Sequence, residues 1–192
     1  MATTAKPAAE GTEVQPGDIL VEVKHLTMDY VVKGGRVSAV SDVSFTLKRG
    51  GSLGLVGESG CGKTSAALTL LRLQADNAEI THGEVLLGGL DLLKLSEDEM
   101  RRHRWNDVAM VFQGAMNAWN PVYRIGDQIR EALDLHWPVK LNREEVRERI
   151  TELFALVGLP PEDMDRYPHE FSGGMRQRAT IAMALSCNPQ LI

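Results

Sequence analysis

Apolar and polar residues begin to alternate at Ile19. Ile19, Val21 and Val23 share one face of an extended chain, and after a one-residue change of phase Leu26, Met28, Tyr30 and Val32 continue it. That period of two predicts a strand over 19–32 with a bend near Lys24–His25. Gly34 and Gly35 predict a hairpin turn at 33–36, and the apolar positions of 37–47 extend the β-rich region. SLGLV (52–56) reads as a short buried strand, SAALTLLRL (65–73) as a helix and GEVLLG (83–88) as another strand. Ser96 followed by Glu99 is a capping box that starts a helix. VAMVFQ (108–113) reads as a buried strand ending in a polar residue. Beyond it the period changes. Ile125, Ile129, Ala132 and Leu133 fall on one helical face. Asn142 caps a second helix carrying Val146, Ile150, Leu153 and Val157, and Gly158 with Pro160–Pro161 ends it. The pattern predicts an α/β fold: an antiparallel β subdomain and a strand–loop–helix core at 18–114, a helical insertion at 115–170, and a last helix at 172–187. No internal repeat is visible.

Composition changes this picture little. The 192 residues suffice for one domain with a subdomain, and 43% hydrophobic with 24% charged residues is ordinary globular usage. A formal charge of −5 argues against a broad nucleic-acid-binding surface. The two cysteines, Cys61 and Cys187, have no paired spacing, so neither a disulfide framework nor a zinc site is indicated, and a reducing compartment is the natural setting. The five histidines show no ligand spacing. No window approaches the roughly 18 apolar residues of a spanning helix. Residues 1–17 lack the apolar core of a signal peptide and read as a flexible tail.

The chemistry starts at 57–64, GESGCGKT, which fills every fixed position of the phosphate-binding loop Gly-x-x-x-x-Gly-Lys-Thr. Gly57, Gly60 and Gly62 are expected to supply backbone angles closed to other residues and room for the chain to wrap a phosphate. The amides of Gly57, Glu58, Ser59, Gly60, Cys61, Gly62, Lys63, Thr64 and Ser65 then line the anion, and the following helix aims its positive end at it. Lys63 would reach the β- and γ-phosphates and the Thr64 hydroxyl a Mg²⁺ ion. Cys61 beside Lys63 is either a reactive thiol or a variable loop position. The second motif is FSGGMRQR (171–178). Ser172 is placed as a helix N-cap, and Gly173–Gly174 bare the amides of the first turn. Alone, this motif could equally mark a turn before a core helix.

Together, the two motifs resemble the ATP-binding-cassette (ABC) ATPases, and the likeness runs from about Ile19 to Ile192. Its finer wording is similar to the oligopeptide/dipeptide branch: GESGCGKT, the stretch 112–133 with Asn120–Pro121, and FSGGMRQRATIAMALSCNPQLI with Met175. Phe171 in place of Leu, Gly114–Ala115 in place of an acidic-Pro pair, and Trp119 in place of Leu depart from the commoner wording. The resemblance implies a P-loop NTPase core of ABC type, ATP and Mg²⁺ as ligands, and Gln113 as the glutamine touching Mg²⁺ and the attacking water. It makes Tyr30 a candidate for the aromatic that stacks on adenine, with a core strand aromatic as the alternative. Lys63 and Gln113 are the catalytic candidates, and Thr64 and Gln113 the metal ligands.

The family pattern further implies that two ATPase chains face head to tail. Ser172, Gly173 and Gly174 of one chain then contact the ATP held by the other. The partners expected are a second, different ATPase subunit, multi-span membrane permease subunits and, indirectly, a solute-binding protein, with no nucleic acid. The place of work is the cytoplasmic face of the membrane. In this family an Asp and a Glu that complete hydrolysis follow the strand starting near Leu191. The chain is therefore expected to be a fragment with an incomplete central sheet that binds nucleotide without turning it over. The function expected of the full protein is ATP hydrolysis energising uptake of peptides or similar small solutes. The alternatives are a non-transport ABC ATPase and an inactive nucleotide-binding fragment.

Overall fold

A computed structural model of the chain describes residues 18–112, 114 and 118–192. The tail expected at 1–17 and the candidate Gln113 lie outside the described residues. The chain divides into two compact units, one ending at Lys94 and the other running from Leu95 to Ile192.

The first unit follows the period-two pattern. β1 (Ile19–Val32) and β2 (Gly35–Lys48) form an antiparallel hairpin whose turn places Gly34 at φ 104°. β3 (Ala78–Leu87) pairs antiparallel with the other edge of β1, and the short β4 (Leu90–Asp91) pairs with β3, giving the order β2-β1-β3-β4. The phase change in β1 is a bulge. Both of its ladders slip there, and His25 adopts φ 49°. The bulge runs so close to β3 that only glycine fits opposite: a Cβ on Gly83 would lie 2.6 Å from Leu26 Cα and 2.7 Å from the Lys24 carbonyl oxygen. Because side chains alternate, the extra residue keeps Leu26 and Met28 buried together with Val21 and Val23. α1 (Lys63–Leu70) starts earlier and ends sooner than the apolar run at 65–73 suggests. It buries Ala66 and Thr69, and Thr69 Oγ1 donates to the Ser65 carbonyl at 2.8 Å beside Met28 Sδ at 3.9 Å.

Two stretches expected as buried strands are not strands. Residues 52–56 have no regular structure and are exposed. In 108–112, Val108 and Ala109 are buried, but among the described residues the pairing there is limited to isolated parallel bridges from Val108 to Arg104 and Leu191, and Phe112 is exposed. The reason is physical. A parallel core strand depends on backbone partners far away in sequence, and among the described residues no strand pairs with 52–56. The sheet is not closed, as expected, although the sequence placed these two stretches within it as strands.

The second unit is helical: α2 (Glu97–His103), α3 (Ile125–His136), α4 (Arg143–Val157) and α5 (Gly173–Ala184). The expected capping box of Ser96 with Glu99 forms, and the expected cap Asn142 proves to be part of a second box with Glu145. Hydrogen bonds from Ser96 hold the Glu99 carboxyl below its ordinary value. α4 ends in a Schellman motif: Gly158 at φ 68° donates to the Ala155 carbonyl, and buried Leu159 donates to that of Phe154. The core is formed by Ile125, Ile129 and Leu133 of α3, Val146, Ile150, Leu153 and Phe154 of α4, and Ala179 and Ala182 of α5, with Phe171 just before α5.

Two guanidinium groups tie the helices together. Arg149 donates to the carbonyls of Leu185 (3.3 Å) and Ser186 (3.2 Å) at the end of α5, and lies 5.5 Å from the ring centroid of Trp137, which caps α3. Arg178 of α5 donates to the Gly158 carbonyl at 2.9 Å. Among the described residues no helix is long and apolar enough to cross a membrane.

The core contacts of α4 make a stability prediction. Phe154 is fully buried, so Phe154→Ala is expected to cost about 3–5 kcal/mol in urea unfolding. Leu156, on the same helix but 72% exposed, is expected to change stability by about 0.5 kcal/mol or less when replaced by Ala.

Candidate functional site

The loop at 57–64 bends through two glycines in the left-handed region, Gly60 at φ 84° and Gly62 at φ 90°. They do different work. A Cβ on Gly60 would point into open space, whereas one on Gly62 would fall 1.9 Å from the Ala39 carbonyl oxygen of β2. Gly62, the N-cap of α1, thus lets the helix start against the sheet. Gly57 is not in the left-handed region. A Cβ there would lie 2.5 Å from Cys61 Sγ, the end of a side chain that can turn aside.

The start of α1 has no side-chain cap and no acidic residue in its first turn, so no side chain of its own competes for the amides there. The Lys63 ammonium turns back into the loop. It donates to the carbonyls of Gly57 (2.8 Å) and Glu58 (2.7 Å) and approaches Cys61 Sγ at 3.4 Å. Cys61 also donates its backbone N–H to the Glu58 carbonyl at 3.3 Å. Lys63 is half-buried, while Glu58, Ser59, Cys61 and Thr64 are exposed. The loop is a concave run of backbone folded around one cation, next to the positive end of a helix. Such an arrangement suits a phosphate.

Tyr30 comes to the same place from β1. Its hydroxyl lies 3.0 Å from Ser65 Oγ on α1, joining two residues far apart in sequence. Tyr30 is half-buried. Neither this hydroxyl pair nor the Ala39 contact under Gly62 is legible in the sequence, because each depends on β1 and β2 lying beneath α1. A small residue at 39 and a hydroxyl at 65 are the only traces they leave.

The second motif sits in the helical unit. Ser172 caps α5, its Oγ accepting from the Met175 N–H at 3.2 Å. That role uses an acceptor lone pair and leaves the hydroxyl hydrogen available. Ser172 and Gly174 are exposed, and a Cβ on Gly174 would meet nothing within 4 Å. Below them Phe171 is buried, and Arg176 Nη1 donates to the carbonyls of Phe171 (2.9 Å) and Pro168 (3.2 Å), which fixes the approach to the helix. The candidates therefore fall into two groups. Tyr30 and 57–65 are gathered in the first unit, and Ser172–Gly174 stand at a helix start in the second.

A family model described as ABC transporter matches residues 40–192, most of the chain and both motifs. The chain belongs to the ABC transporter family. Among curated members it is 44% identical over 178 residues to a probable peptide ABC transporter ATP-binding protein, y4tR, of Sinorhizobium fredii, covering 91% of this chain and 52% of that one. It is 42% identical over 176 residues to the dipeptide transport ATP-binding protein DppD of Bacillus subtilis, covering 90% and 52%. This ABC chain thus spans about half the length of the curated relatives it matches. A solved structure with the same fold is the ATP-binding cassette MJ0796, a dimer in a post-hydrolysis state bound to ADP and Pi. Its TM-score is 0.76 at 27% identity, covering 88% of this chain and 70% of that one.

The loop geometry of this ABC chain separates its glycines experimentally. Gly60→Ala should cost about 1–2 kcal/mol, the usual penalty of a left-handed L-residue. Gly62→Ala adds the collision with Ala39 and should cost clearly more, shifting the urea midpoint further. Equal shifts would show that the backbone angle alone, and not the contact with β2, constrains Gly62.

Proposed function

We propose that this chain binds ATP at 57–65 and is the ATP-binding part of an ABC importer subunit. Taken whole, that subunit hydrolyses ATP to drive uptake of peptides or similar small solutes through separate membrane-spanning permease subunits. The observation that carries the reading is the Lys63 ammonium, held by two carbonyls of its own loop at an uncapped helix start. A triphosphate would take over that ammonium, and the amides of the loop and first turn of α1 would donate to its oxygens. Thr64, exposed beside them, and Gln113 are the residues that would hold Mg²⁺. The ion would supply neutralisation of phosphate charge when bound. Tyr30, tied to Ser65, would lie against the adenine.

Ser172, Gly173 and Gly174 are assigned to the ATP of a second ATPase subunit. An exposed helix start with open space at Gly174 supports this, since another chain's phosphate could approach closely. Two helix ends would then face one triphosphate, the arrangement best suited to charge spread over a transferring phosphoryl group. The resemblance of the chain to peptide-transport ATP-binding proteins supports a paired, different ATPase as the second subunit. It also supports a station at the cytoplasmic face of the membrane, with a solute-binding protein engaged only through the permease.

Two substitutions test the site. Lys63→Ala should weaken ATP binding about tenfold or more in a calorimetric titration, since a hydrogen bond to a charged group contributes about 1.5–3 kcal/mol. Unchanged affinity would remove the phosphate assignment. Tyr30→Ala should weaken ATP about tenfold while leaving pyrophosphate binding unchanged, because stacking acts only on the base. Equal losses for both ligands would make Tyr30 a support for Ser65 instead. Co-purification of the whole protein with a multi-span membrane protein tests the transport assignment separately.

A further inference from the structure

The helical unit carries a second concentration of positive charge, well away in sequence from both motifs. Four arginines from the start and body of two helices, Arg124, Arg130, Arg143 and Arg147, line one cavity of about 100 Å³. Two carboxylates share the rim. Asp165 pairs with Arg147 at 3.1 Å and with Arg124 at 3.9 Å, and Asp127 pairs with Arg130 at 3.4 Å. Arg143 has no ion-pair partner among the described residues. The hollow therefore holds a surplus of positive charge in a chain whose formal charge is −5. Like charges gathered around one concavity repel each other, and an anion between them relieves that repulsion.

The floor is buried and apolar, made of Val146, Ile150 and Met164, while the guanidinium groups on the rim remain about half exposed. Gly126 and Asp127 bring the first turn of α3 to the rim; that start has no side-chain cap, its Ile125 N–H is taken by the Arg166 carbonyl, and the Asp127 carboxylate, paired with Arg130, lies in the same turn. Glycine is required at 126, where a Cβ would lie 2.8 Å from the Met164 carbonyl oxygen. At about 100 Å³ the hollow has room for one tetrahedral oxyanion.

We infer that this cavity is a binding site for a phosphate-class oxyanion, either free phosphate or the phosphate of a lipid headgroup. Planar guanidinium groups supply paired donors to such a group, with Arg143 as the cation not already committed to a carboxylate. The site is independent of the loop at 57–64. Occupancy would join the start of α3 to the start of α4 through one shared anion.

The test uses the purified 192-residue chain and inorganic phosphate followed by amide chemical shifts. Phosphate should shift the amides of Gly126 and Asp127. Arg143→Glu should weaken that response at least tenfold while leaving the melting curve unchanged, and Lys63→Ala should leave it intact. Vesicles of phosphatidylglycerol against phosphatidylcholine separate the sources. Sedimentation with the anionic vesicles alone, lost in Arg143→Glu, assigns a lipid headgroup; phosphate shifts without sedimentation assign free phosphate. Absence of both, or shifts that survive Arg143→Glu, overturns the proposal.

Discussion

The approach of α1 to β2 at Gly62 is the constraint on which the candidate site depends. No side-chain atom can be tolerated between that helix start and the Ala39 carbonyl. Because the helix is seated there, its first amides face the hollow of the loop, Lys63 reaches back to the Gly57 and Glu58 carbonyls, and Ser65 meets the Tyr30 hydroxyl. The bulge at His25 belongs to the same construction, since it holds Met28 inward, where Thr69 of α1 rests on it. A loop that binds a charged group needs this rigidity, because amides that must first be arranged give up part of their interaction energy to ordering.

The helix starts of the chain divide by what satisfies them. α2 and α4 are closed by reciprocal capping boxes, and α5 by the Ser172 hydroxyl alone. α1 and α3 have no side-chain cap, but α3 carries Asp127 in its first turn and its Ile125 N–H donates to the Arg166 carbonyl at 3.0 Å, whereas α1 has no acidic residue there. A boxed start has its free amide donors bonded locally, whereas an uncapped one leaves them for an outside acceptor. α5 is intermediate, with one amide satisfied and two glycines leaving the rest uncovered. The electrostatics of this chain are therefore set less by its net charge than by which helices were left open.

Much of this was readable in advance where the information is local. Caps, the Gly158 stop, the hairpin at Gly34 and the phase change near His25 each rest on a few neighbouring residues, and each is found where the pattern places it. The two failures are of another kind. SLGLV and VAMVFQ are apolar enough for core strands, but a strand also needs backbone partners, and an apolar run does not say where they are. Val108 shows the difference: it is buried and bridged to Leu191, yet one bridge does not make a ladder. At the site, the motif residues were legible and their supports were not. Tyr30–Ser65 and Gly62–Ala39 arise only once the β-hairpin lies under the helix.

The two guanidinium ties of the helical unit have a mechanical consequence. α5 is fastened at its far end by Arg149 to α4 and to the Trp137 ring that closes α3, and nearer its start by Arg178 to the end of α4. A rod pinned at two separated points cannot pivot on either of them. Ser172, at the start of α5, is thereby positioned by ties to both the middle and the end of α4.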